Sequence, residues 1–277
     1  MTVLCQGWAP LPLDEELPGS DVDWTAERSQ HPWAFGPRDT WQWHVHAFAV
    51  HTADGTVLVD TGLGSFEPAA AWAESSDPAE ALSAAGVDPA AVRHVVLTHL
   101  HTDHAGGATL DGEPRFPNAT YHVHPADWEH FATRDGRGES GARFAMRRLN
   151  ELGTLSLDPG DGEVAAGVRV VHTPGHTPGH RSVLVTEGGT RLLLTGDLLH
   201  LPAQVAHPDW PSSHDLDPGL GCRSRMSLLA AAREGSWRVG VSHFAMPFGR
   251  VAERGWREDL PPDVRLPAGH DRPAGGA

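Results

Sequence analysis

Apolar positions along the chain fall into short runs of two different periods. From Trp41 they alternate, with Trp41, Trp43, Val45, Ala47 and Ala49 on one face, which predicts a strand. Asp54-Gly55 supplies a hairpin turn, and Thr56–Asp60 predicts the returning strand. Upstream, residues 1–40 hold one apolar stretch, Val3-Leu4, among Pro, Asp, Glu and Trp; they predict an edge strand and then a long irregular segment. Glu67–Ala85 is Ala-rich and predicts a helix broken near Asp77-Pro78 and stopped by Gly86. Val95-Val96-Leu97 predicts a buried strand and Thr120–His124 another, with Pro125 opening a helix through Phe131. Arg143–Leu152 predicts a helix with its arginines toward solvent. In the second half, strands are expected over Val168–Val171, Ser182–Thr186 and Arg191–Thr195, then a helix over Ser224–Glu234 and a last strand over Val239–Ser242. The Pro/Gly-rich tail, residues 261–277, reads as loose. Strands precede helices in two blocks, about 1–150 and 151–260, without a solenoid-type repeat. The pattern predicts an α/β layered fold of two similar halves in a single domain over 1–277.

Composition narrows the chemistry. The 277 residues suffice for a full core, and 39% hydrophobic content with 21% charged residues is that of a globular chain. All 21 basic residues are arginine, so a Walker A loop and Schiff-base chemistry are excluded. A net charge of −15 argues against a nucleic-acid partner. No run approaches the roughly 18 apolar residues of a membrane-spanning helix, and the N-terminus has no signal-peptide pattern. Cys5 and Cys222 lie far apart and form no CxxC pair, which suits free thiols in a reducing compartment and a cytoplasmic location.

Histidine, present 19 times, changes the picture because it clusters. His99 and His101 lie two apart just past a strand and project to one side, while Asp103 and His104 follow at a helix start and point elsewhere. Four donors within six residues can serve two neighbouring metals. His176 in a Pro-Gly turn, Asp197 and His243 also follow strands. Three His or carboxylate ligands per metal with one position left for water is the catalytic zinc pattern. His122, His124, His172 and His180 are not counted as ligands.

His99-Leu100-His101-Thr102-Asp103-His104, with Asp60-Thr61-Gly62 upstream and Thr173-Pro174-Gly175-His176, Gly196-Asp197 and His243 downstream, resembles the metallo-β-lactamase superfamily over about residues 41–250. The resemblance implies an αββα sandwich with a dinuclear metal site. One metal would take His99, His101 and His176, and the other Asp103, His104 and His243. Asp197 would bridge them and Asp60 would orient the site. Gly196-Asp197-Leu198-Leu199-His200 with Ser242-His243-Phe244-Ala245-Met246-Pro247-Phe248-Gly249 is similar to the branch of methyl parathion hydrolase and related esterases and lactonases. Acyl-homoserine lactonases carry a tyrosine three residues past the bridging Asp; here that position is His200, and Tyr121 is the only tyrosine.

Such a site would hold a hydroxide between two metals about 3.5–4 Å apart and attack an ester, lactone or phosphotriester. Asp103 or a water would carry the proton and His200 would assist at the oxyanion. Zn fits the ligands best, with Mn, Fe or Co also suited. Trp24, Trp33, Trp41 and Trp43, with Trp128, Trp210, Phe244 and Met246, either wall an apolar pocket for a hydrophobic small-molecule substrate or serve as core. The alternatives are a thioesterase of the glyoxalase II type and a non-catalytic metal-binding protein. Family members often pair, so a homodimer is compatible with the resemblance.

Overall fold

In a computed structural model, residues 1–64, 74–75, 78–133 and 140–260 are described. The first part forms β1 (Thr2–Pro12), β2 (Thr40–Thr52), β3 (Gly55–Val59), β4 (Glu74–Ser75) and β5 (Val92–Val96), a ribbon of β6 (Thr109–Leu110) and β7 (Glu113–Pro114), then β8 (Thr120–Val123) and β9 (Leu155–Leu157). Seven of these make one sheet in the order β4-β1-β2-β3-β5-β8-β9. The second sheet is a consecutive run of β10 (Gly162–Ala165), β11 (Val168–His172), β12 (Arg181–Glu187), β13 (Thr190–Leu194), β14 (Arg238–Gly240), β15 (Phe248–Ala252) and β16 (Gly255–Glu258).

The period-two pattern of β2 explains the layering. Phe48 and Val50 point to the space between the sheets, where they and Val3, Val57 and Val59 meet Val168, Val170, Val183 and Leu194. Ala47 and Ala49 point outward, where Leu58, Val95 and Tyr121 are covered by Leu82 of the helix Pro78–Ala85 and by Ala145, Met146 and Leu149 of the helix Ser140–Glu151. On the other outer face, Leu229 and Ala232 of the helix Pro218–Glu234 cover Leu193 and Val239. The architecture is the expected αββα sandwich. Among the described residues no helix is long and apolar enough to cross a membrane.

Four local expectations need correction. β1 is not an edge strand, because Glu74–Ser75 pairs along its other side. Those two residues are therefore strand inside the stretch expected as helix; of that stretch, 65–73 and 76–77 lie outside the described residues. The segment after β1 is not irregular throughout, since it forms short helices at Leu13–Glu16 and Trp24–Gln30. Val239–Ser242 is not the last strand, as β15 and β16 follow. The tail 261–277 lies outside the described residues.

The functional consequence lies in strand direction. β3 and β5 are parallel, as are β13 and β14, and β11 runs with β13 because each is antiparallel to β12. The loops leaving the C-terminal ends of these five strands carry Asp60, His99–His104, His176, Asp197 and His243, the usual position for chemistry in a layered α/β fold.

Candidate metal centre

After β5 the chain passes through His99 to His101, whose backbone is extended, then turns into the short helix Thr102–Ala105. Two neighbouring donor groups follow from that switch. His99, His101, His176 and Asp197 form one; Asp103, His104, Asp197 and His243 form the other, the donor atoms in each lying within 4.8 Å of one another. Asp197 belongs to both. Each group could hold one divalent ion.

The hydrogen bonds on the far side of each ring show that the donor atoms fit metals. His104 Nδ1 donates to Asp60 Oδ2 at 2.8 Å, and His243 Nδ1 donates to the His44 carbonyl at 2.7 Å. The Thr98 hydroxyl donates to Asp60 Oδ2 at 2.9 Å, so it accepts from His99 Nδ1 at 3.1 Å. His176 Nδ1 faces Asp215 Oδ1 at 3.4 Å. In the neutral rings, Nε2 of His99, His104, His176 and His243 is therefore left as a lone pair turned inward. These atoms crowd: His101 Nδ1 is 3.0 Å from both His99 Nε2 and His176 Nε2, and Asp197 Oδ1 is 3.0 Å from His104 Nε2 and 2.9 Å from His243 Nε2. Among the described residues, buried His104 Nε2 and Asp197 Oδ1 have no hydrogen-bond partner. Lone pairs converging without donors between them are what a cation satisfies.

The electrostatics carry the same message. Burial alone opposes a charge on His104, but Asp197, Asp103 and Asp60 overcome it and hold its pKa well above the ordinary value. Burial holds His99 and His176 well below theirs. Despite burial, His104 and His243 pull Asp103 and Asp197 below the usual carboxylate range. A proton shared over this cluster occupies the place of a cation.

Close backbone approach fixes the loops. A side chain at Gly107 would meet the Thr61 carbonyl at 2.1 Å, which ties the loop after His99–His104 to the Asp60-Thr61-Gly62 turn. Gly175 has φ +137° and would meet the Gly221 nitrogen at 2.1 Å, so the His176 turn packs directly on the helix Pro218–Glu234. Buried Asp127 accepts from Thr177 Oγ1 and the Gly179 N–H at 2.9 and 2.6 Å, and His180 Nε2 accepts the Asp197 N–H at 3.0 Å.

Above the donors is a cleft of ≈ 270 Å³ lined by Leu11, Trp41, Trp43, His101, Thr102, Asp103, His176, Asp197, His200, His214 and His243. Of the expected pocket residues, Trp41, Trp43 and His200 stand here. Trp128 packs on the first half's outer core, and Trp210 stacks on His207 at 3.9 Å. Phe244 lies between Trp33 and Trp256, and Met246 is buried apart from the cleft lining. Trp24 and Trp33 join Leu13, Leu17 and Phe35 in the apolar cluster of the N-terminal segment.

That segment also supplies Glu16, which is only 2% exposed and has no sequence signal. It accepts the Ser212 hydroxyl at 2.7 Å and faces His214 Nε2 at 3.4 Å and His200 Nδ1 at 3.8 Å. Burial pushes the Glu16 carboxyl up, but His200, His214 and Ser212 outweigh it and hold its pKa below the ordinary value. His200 Nε2 in turn lies 3.5 Å from Asp197 Oδ2. Thr98, Asp215 and Asp127 were likewise silent in the sequence, because each acts through tertiary neighbours.

The model of one family, the metallo-beta-lactamase superfamily, matches residues 40–270. The chain belongs to that superfamily. An N-acyl homoserine lactonase of Bacillus sp is 31% identical over 173 residues, covering 55% of this chain and 63% of the relative. A probable metallo-hydrolase of Mycobacterium tuberculosis is 31% identical over 181 residues, 56% of each chain. The chain thus spans less than two thirds of the length of these relatives. Among solved structures, hydrolase AbOPH of the beta lactamase superfamily superposes with TM-score 0.80 at 21% identity over 94% of both chains. AidC, a dizinc quorum-quenching lactonase, does so with TM-score 0.78 at 21% identity over 93% of both. These likenesses show a shared metallo-beta-lactamase fold.

Proposed function

We propose that the chain is a metal-dependent hydrolase of neutral esters and lactones, with a ring-opened N-acyl homoserine lactone or similar hydroxy acid as product. The observation that carries this reading is the convergence of two donor groups that share Asp197 beneath a cleft. The lactonase names of its relatives support the substrate class. His99, His101 and His176 would hold one ion, Asp103, His104 and His243 the other, and Asp197 both. The pair, when bound, supplies a Lewis acid for the substrate oxygen and lowers the pKa of a water held there.

The chain's own contribution is proton handling and shape. His200 Nε2 takes the proton of the attacking water and returns it to the oxygen that leaves as the acyl C–O bond breaks. Glu16 facing Nδ1 stabilises the charged ring in between. His200 stands three residues past Asp197 and presents an imidazole to the cleft, a group that can both accept and donate a proton. Trp41, Trp43 and Leu11 give the cleft an apolar wall. A cleft of ≈ 270 Å³ is large enough for a lactone or aryl ring. A neutral phosphotriester also suits this wall. Among the described lining residues none is an arginine, which disfavours the anionic thioester of a glyoxalase II-type enzyme.

The test is turnover of metal-loaded protein on an aryl ester, an acylated γ-lactone, a phosphotriester, a thioester and a β-lactam, each with and without chelator. Chelator-sensitive lactone or ester hydrolysis is expected. Turnover confined to the thioester or β-lactam, or none with both ions bound, rejects the proposal.

A further inference from the structure

A second set of donor atoms sits on the face of β2 that looks toward the second sheet. Cys5 of β1 pairs directly with His46, and Trp8 pairs with His44; the bulge at Gln6 keeps all four on one face. The Cys5 sulfur, one nitrogen of His44 and one of His46 lie within 4.8 Å of one another. Cys5 Sγ is 4.0 Å from His44 Nδ1, and the two imidazoles stack at 5.4 Å. Both rings are buried, at 4% and 1% exposure, while Cys5 is half-buried.

Proton positions favour ligation. His46 Nε2 lies 3.0 Å from the Phe244 carbonyl, which can only accept, so the neutral ring keeps its lone pair on Nδ1. His44 Nε2 donates to Gln42 Oε1 at 3.4 Å, leaving the lone pair on Nδ1, the atom beside the sulfur. Two basic imidazole nitrogens and a thiol that loses its proton on coordination form a Cys-His-His donor set. Its softness selects a thiophilic d10 cation over the oxygen-seeking divalent ions.

We propose that Cys5, His44 and His46 form a third metal site, separate from the histidine–aspartate centre, that prefers Zn2+ or Cu+ and admits Co2+ as a probe. Its position gives it a purpose. The His44 carbonyl accepts from His243 Nδ1, and the His46 N–H donates to the Ser242 carbonyl at 3.1 Å. A cation clamping β1 to β2 at this point holds the strand that orients His243. The proposal does not depend on the substrate assigned to the main centre.

Thiolate ligation separates the two centres spectroscopically, since the donors of the main centre include no sulfur. Co2+ added to protein that already holds its two ions should give a near-ultraviolet thiolate-to-cobalt charge-transfer band. The band should vanish in Cys5→Ser and persist in Cys222→Ser. In wild-type chain, Zn2+ or Cu+ should slow alkylation of Cys5 by iodoacetamide about tenfold or more, because the metal occupies the nucleophilic lone pair. Cys222 serves as the internal reference. Protection by either cation supports the site and identifies the occupant. No band together with equal alkylation rates overturns the proposal, as does a band that survives Cys5→Ser.

Discussion

Asp60→Asn would show how far the proposed metal centre rests on a carboxylate that belongs to neither donor group. Asp60 is fully buried. Its Oδ1 accepts the Thr98 N–H at 2.7 Å, and its Oδ2 accepts both the Thr98 hydroxyl and His104 Nδ1–H. Asparagine has nearly the same shape and tolerates the backbone φ of +62°, so the substitution changes chemistry and little else. Turned either way, its NH2 meets a donor. Facing the Thr98 amide it has no escape, because a backbone N–H cannot change tautomer. Facing His104 it forces the ring to move its hydrogen to Nε2, the nitrogen turned toward Asp197 Oδ1. A ring protonated there cannot ligate. Loss of such an outer partner lowers metal affinity about 10- to 100-fold, or about 1.4 to 2.7 kcal/mol. The cost of an unsatisfied buried donor, about 1–3 kcal/mol, is of the same size. The assay is competition against a chromophoric chelator, resolving two binding steps, with far-UV circular dichroism as the folding control. The step assigned to Asp103, His104 and His243 should weaken by that factor, and the other by less. Unchanged affinity at both steps in folded Asp60→Asn would refute the reasoning.

Asp197→Asn should weaken both binding steps and remove most turnover, since one side chain serves both donor groups; full activity in a folded variant excludes the shared role. Glu16→Gln should lower kcat about tenfold with little change in KM, because a neutral partner no longer stabilises charge on His200; an unchanged kcat argues against the pair. Gly175→Ala should destabilise the protein by several kcal/mol, in the range of strained or overpacked sites, since the new Cβ meets the Gly221 backbone; an unaltered melting temperature contradicts it. Burial raises Asp127 from its ordinary 3.8 to about 6. The folded state then holds a proton that the unfolded chain releases, so this contribution is complete below about pH 3.8 and lost as pH rises through about 6. At about 1.4 kcal/mol per unit it amounts to about 3 kcal/mol. The stability of metal-free wild type relative to Asp127→Asn should fall over that window; a constant difference would show that the group titrates elsewhere.

What the sequence disclosed and what it concealed differ in contact range. His99, His101, Asp103 and His104 were legible because a chain that turns into a helix start sends neighbouring side chains in two directions, a local consequence of backbone geometry. The strand-end placement of His176, Asp197 and His243 was legible for the same reason, and their motifs resemble a known family. β15 and β16 escaped because Pro247, Gly249 and Gly255 break the alternation that identifies strands. Trp128, Trp210 and Phe244 could not be sorted between core and cleft, since an indole fits either and only the packing decides.

Glu16 shows the limit more sharply. It stands in an acidic stretch next to Leu13 and Leu17, and nothing nearby marks it as buried or functional. Its partners Ser212 and His200 lie almost two hundred positions away. Leu13, Leu17 and Phe35 bury themselves with Trp41 and Leu201, which lays the N-terminal segment over the second half and lowers Glu16 into place behind His200. Metal-donor geometry is thus written in short stretches of chain at strand ends, where a motif can preserve it. Glu16, the proposed partner of His200, is delivered by a hydrophobic cover whose own sequence shows only that it buries something. Variation in such a cover can therefore alter substrate and proton handling while leaving the donor set intact.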